Sequence, residues 1–77
     1  MKLSELETGR SGKIVKIDSS GAVKRRLLDM GLLTGQVVRV ERVAPLGDPV
    51  ELSVRNFRLS LRRSELETID VEEVISC

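Results

Sequence analysis

A chain of 77 residues leaves room for one small domain and excludes a two-lobed enzyme, a dinucleotide fold or a multi-repeat solenoid. Apolar residues reach 40%, too many for a disordered tail, but Phe57 is the only aromatic, so 11 Leu, 10 Val and 4 Ile must build the core. The 13 basic and 12 acidic groups nearly cancel, yet residues 1–63 hold every base at net +6, and residues 64–77 hold five acids and none.

In chain order, Leu3-Ser4-Glu5-Leu6-Glu7 reads as one helical turn with Leu3 and Leu6 on one side. Two glycines follow, and Lys13 to Asp18 reads as a strand with Val15 and Ile17 on one face and Ile14 and Lys16 on the other. Ser19-Ser20-Gly21 breaks it and offers a hydroxyl cap. From Ala22 to Met30 the period becomes helical: Val23, Leu27 and Met30 form an apolar stripe that Leu28 widens, and Lys24, Arg25, Arg26 and Asp29 cover the other side. Gly31 is placed to end the helix in a left-handed conformation.

Strands then come in quick succession. Gln36 to Val43 has Val38 and Val40 facing one way. Val50, Leu52 and Val54 alternate with polar residues, and Phe57, Leu59 and Leu61 form the next inward row. Asn56 lies between these two runs, where a tight hairpin needs positive φ. Arg63 to Leu66 suggests a short helical turn, and Thr68 to Glu72 a last strand with Ile69 and Val71 inward. Five short half-buried strands with one helix after the first predict a mainly β, small five-stranded barrel.

The residues present restrict the chemistry. Without His there is no usual general base, and the commonest metal ligand is missing. A lone Cys77 excludes an internal disulfide and a multi-thiolate zinc site; as a terminal thiol it is expected to be exposed and to cross-link in air. No serine has an evident activating partner, and no acidic stretch resembles a calcium loop. The expectation is a binding module, not an enzyme, with no cofactor or metal site of its own. No signal core or membrane-spanning run is evident, which fits a cytoplasmic protein.

Two stretches stand out from a generic barrel: Leu27-Leu28-Asp29-Met30-Gly31-Leu32-Leu33-Thr34-Gly35 behind Lys24-Arg25-Arg26, and Ala44-Pro45-Leu46-Gly47-Asp48-Pro49-Val50 ahead of Arg58-Leu59-Ser60-Leu61-Arg62. In this order and spacing the chain resembles the ferrous iron transport protein A family (FeoA), nearly end to end across residues 1–77. The resemblance implies an SH3-like barrel of bacterial or archaeal origin. It also implies an accessory role in ferrous iron uptake, by docking on the membrane ferrous iron transporter with its cytosolic GTP-binding domain.

Docking is expected at Lys24, Arg25, Arg26, Leu46 and Asp48. The helix charges are either a plain solvated face or a complement to an acidic patch. Leu46, between two prolines, either folds over the barrel mouth or projects as an apolar anchor. Two other classes compete with this reading. A nucleic-acid-binding barrel would use Arg39, Arg55, Arg58 and Arg62, but Phe57 reads as inward and unable to stack, so no nucleic acid is expected. A transition-metal-linked regulatory domain lacks His and has one Cys. A weak homo-oligomer fits so small a core.

Overall fold

In the computed structural model, which describes residues 1–75, five antiparallel strands form one sheet in the order β4-β3-β2-β1-β5. The strands are β1 (Ser11–Ile17), β2 (Val37–Val43), β3 (Val50–Val54), β4 (Phe57–Leu61) and β5 (Ile69–Val74). Helix α1 (Gly21–Asp29) follows β1, helix α2 (Arg63–Leu66) joins β4 to β5, and a 3-10 turn (Leu3–Glu5) precedes β1. This is the mainly β architecture predicted by the alternation, with the helix where the change of period put it. Cys77 lies outside the described residues.

Alternation works where the ladder is regular. In β3, Val50, Leu52 and Val54 are buried and the residues between them are not, and Val38 and Val40 are buried in β2. It fails in β1. There Ile14 is fully buried and Val15 is exposed, the reverse of the face expected for Val15. The cause is a register shift against β5: Ile14 faces Val71, but Lys16 faces Asp70 and Ile17 faces Ile69. Val15 is the extra residue of a bulge, so Ile14 and Ile17 both turn inward although three positions apart. A second shift lies in β2 after Val40.

The helix buries less than its stripe predicts. Of Val23, Leu27, Leu28 and Met30, only Leu27 is fully buried and Met30 is partly buried against the core, while Val23 and Leu28 are exposed. Leu32 supplies the missing contact from beyond the helix end. Gly31 takes φ +96°, which lets the Leu32 amide reach back to the Leu27 carbonyl (3.1 Å) and turns the Leu32 side chain into the core.

Two further expectations change. Phe57 is 39% exposed rather than inward; its ring covers Gly31, where an added Cβ would lie 3.1 Å from it. Positive φ in the β3–β4 turn falls on Arg55 (47°), one residue before Asn56.

The sheet's two edges are β4 and β5, and α1 crosses the seam between them. Just before α1, the Asp18 amide donates to the Thr68 carbonyl (2.6 Å) ahead of β5. Arg26, in the middle of the helix, pairs with Glu65 of α2, and Gly31 at its end meets Phe57 of β4. The outer side of β5 is taken by the chain start: the Val71 amide donates to the Met1 carbonyl (2.8 Å), and Lys2 Nζ lies 2.9 Å from Asp70.

That last pair sets a pH window. Its hydrogen bond holds the Asp70 carboxyl below its ordinary 3.8 and the Lys2 ammonium above its ordinary 10.5. The Asp70 contribution is present above pH 3.8 and lost as pH falls through the lowered value. The Lys2 contribution is present below pH 10.5 and lost as pH rises through the raised one. Lys2→Met should therefore flatten the acid limb of a melting-temperature profile below pH 4. Gly12 gives a packing test, because a Cβ there would sit 3.0 Å from Val71 Cγ2 and 3.2 Å from Leu6 Cδ2. Gly12→Ala should cost about 1–3 kcal/mol by denaturant midpoint. Ile14→Ala should cost about 2–5 kcal/mol and Val15→Ala about 0.5 or less.

Candidate protein-docking site

The residues expected to dock divide into free and engaged groups. Lys24 and Arg25 are exposed on α1 and form no ion pair among the described residues. Arg26 points the other way. Its guanidinium pairs with Glu65, the one charged side chain buried among the described residues. Arg26 is therefore a structural pin, not part of a free cationic triplet. Reversing it would set two carboxylates against each other at a desolvated position.

Leu46 is 97% exposed at the tip of the loop between β2 and β3. Leu46 therefore projects into solvent and does not fold over the barrel mouth. Asp48 is not free either: its Oδ1 accepts from the Arg63 amide (2.9 Å), which caps the start of α2 from outside the helix.

Arg63 itself went unnoticed in the sequence. Its Nε donates to the Gly47 carbonyl (3.1 Å) and its Nη1 to the Ser4 carbonyl (3.2 Å), so it ties the loop to the N-terminal turn. Glu65 was missed too, although a glutamate three residues past Arg62 has the spacing that returns a carboxylate to the cap amide; Arg62 N donates to its Oε1 at 2.9 Å. Between them, Arg63 and Glu65 make α2 a bracket. One end holds the Leu46 loop and the other holds α1, so both expected docking features hang from four residues.

Two of the four arginines of the alternative surface are ion-paired. Arg58 Nη1 lies 3.0 Å from Glu51, and Arg39 Nε 3.7 Å from Glu41. The Ser53 hydroxyl donates to Glu41 at 2.6 Å and, with the nearby arginines, holds that carboxyl below its ordinary value. Phe57 is half-exposed, so the expectation that it is turned inward and unable to stack does not hold, and Glu41 and Glu51 stand among these arginines. Among the described residues no three metal-ligating side chains converge, and no helix is long and apolar enough to cross a membrane.

A family model described as the FeoA domain matches residues 1–73. A Porphyromonas gingivalis protein described as a fusion of Fe(2+) transport protein A with the Fe(2+) transporter FeoB is 40% identical over 76 residues. That match takes in 99% of this chain but 9% of the fusion protein, so the chain spans less than a tenth of that relative's length. FeoA protein from Chlorobium tepidum matches with a TM-score of 0.89 and 43% identity, over 97% of this chain and 71% of that one. FeoA from Stenotrophomonas maltophilia, solved with zinc and described as a prokaryotic SH3 domain protein, matches with a TM-score of 0.81 and 32% identity, over 94% and 89%. The SH3-like expectation for the fold is borne out by these likenesses.

Stability measurements should separate the two groups of site residues. Arg26→Ala, which leaves Glu65 buried without its cation, should lower stability by about 1–3 kcal/mol. Arg25→Ala and Leu46→Ala should each stay within about 0.5 kcal/mol by denaturant midpoint.

Proposed function

The chain belongs to the FeoA domain family, and from that premise we propose that it is a cytosolic, non-enzymatic accessory of ferrous iron uptake. In this reading it acts as a single interaction domain that docks on the membrane ferrous iron transporter, at the transporter's cytosolic GTP-binding domain, and modulates it. The observation that carries the reading is the fusion relative, in which a protein 40% identical over this chain's length is joined to the Fe(2+) transporter itself. Joining two modules in one chain raises their effective concentration, which favours parts that work in contact.

The docking surface combines Lys24 and Arg25 with Leu46, while Arg26 and Asp48 hold the elements that present them. Support comes from the chemistry of each. Two unpaired cations suit an acidic patch and act mainly on association rate. An apolar side chain at the tip of a loop stiffened by two prolines and pinned by Arg63 loses little entropy on binding.

Titrating the labelled chain against the purified transporter in nanodiscs tests this. Saturable binding is expected. Lys24→Glu with Arg25→Glu should slow association about tenfold at low salt, and Leu46→Ala should speed dissociation. A folded chain that shows no binding at concentrations well above those in cells would refute the docking itself. Unchanged kinetics in both variants would refute the surface.

A further inference from the structure

A second surface lies where β1, β2 and the β3–β4 turn meet, at the end of the β2–β3 hairpin opposite the Leu46 loop. In register, Lys13 of β1 is opposite Val37 of β2. The β2–β3 ladder ends at the pair Val38 and Val54, and the next residue on each side, Val37 and Arg55, lines a common groove. Lys13 on β1, Val37 on β2 and Arg55 in the β3–β4 turn therefore form a row, with an aliphatic residue between two cations. Val37 is 46% exposed, and Lys13 and Arg55 are exposed. Neither cation has an ion pair among the described residues; Glu72 lies opposite Lys13 on β5 but does not close on it.

The end of the row opens into a groove of about 270 Å³ lined by Gly35, Gln36, Val37, Val54 and Arg55. Arg55 carries the one positive φ on a non-glycine residue among those described, in a two-residue turn that glycine would occupy without strain. Folding does not account for a long cation there, since its guanidinium makes no hydrogen bond or ion pair among the described residues. Outliers of this kind gather where a residue is kept for what it contacts.

We propose that the Lys13–Val37–Arg55 row and its groove form a docking surface for an extended acidic protein segment with one aliphatic anchor. Strands lie about 4.8 Å apart, so the two cations are separated by about 10 Å at their backbones. In an extended segment, alternate residues share a face about 6.6 Å apart. The pattern Glu-x-Leu-x-Glu thus sets an aliphatic residue over Val37 and a carboxylate within reach of each cation. The two cations favour acidic side chains, and the aliphatic rather than aromatic centre of the row favours a protein segment over nucleic acid, whose bases stack on rings. The surface is separate from the one proposed for the transporter and stands or falls independently of it.

The test is amide chemical-shift mapping of the whole isotope-labelled chain against a peptide containing Glu-Ser-Leu-Ser-Glu. Saturable shifts at Lys13, Gln36, Val37 and Arg55 are expected, weakening as salt is raised. Arg55→Gly should keep or raise the melting temperature while weakening peptide binding at least threefold, and Lys13→Ser should weaken it with the fold unchanged. Arg55→Gly binding as tightly as the parent would overturn the proposal. So would shifts that map elsewhere, equal binding by the Lys-Ser-Leu-Ser-Lys peptide, or a thymidine oligonucleotide that shifts the same amides.

Discussion

One buried carboxylate organises the molecule. Glu65 sits in a four-residue helix, yet three parts of the chain converge on it: its side chain meets Arg26 of α1 and the Arg62 amide, and its carbonyl accepts from the Thr68 hydroxyl at 2.7 Å. Thr68 in turn accepts from Ser19 at 3.0 Å, which ties down the stretch that leads into α1. A charge taken out of water is costly unless fully paired, so every arrangement that breaks this network is disfavoured. Its consequence is placement more than net stability. With one fully buried leucine, α1 has little apolar contact to fix where it lies, and the Glu65 network supplies the missing specification.

The core around this network is aliphatic throughout. Valines, leucines and isoleucines from all five strands, with Leu3, Leu6, Leu27, Leu32 and Leu66, form a single cluster without a ring among them. Small side chains fill such a space evenly but leave little slack, and Gly12 shows how little: the backbone of β1 passes so close to Val71 and Leu6 that a methyl group would crowd both. The one aromatic is spent outside, as a cover over the left-handed Gly31. The helix end can therefore turn sharply and still send Leu32 inward.

How much of this the sequence discloses depends on whether a pattern is local. Alternation in β3 and the start of β2, the change of period at α1 and the stop at Gly31 are local, and all are readable. Bulges are not. The inversion of Val15 arises from how β1 meets β5, more than fifty residues away, and nothing in Lys13 to Asp18 announces it. The site behaves likewise. Lys24 and Arg25 can be read as surface cations, but Arg26 looks identical to them and differs only because Glu65 arrives beside it in space. Leu46 was ambiguous because a loop's direction is set by what holds its base, here Arg63. Phe57 reads as inward because it falls in step with Leu59 and Leu61, but a glycine at the surface gives its ring a partner outside the core.

The pairing of β1 with β5 carries a consequence for how the domain comes into being. β1 is hydrogen-bonded on one side to β2 and on the other to the last strand, and Met1 itself is bonded to Val71. Half of β1's partners are thus synthesised more than fifty residues after it. During translation the β2–β3–β4 meander has its neighbours at hand and is free to assemble, whereas the first strand waits with one edge open. Closing so long a loop is entropically slow, in the millisecond-to-second range usual for barrels of this topology. The emerging chain therefore exposes Ile14 and an unpaired edge until β5 clears the ribosome, and the sheet closes at its first strand.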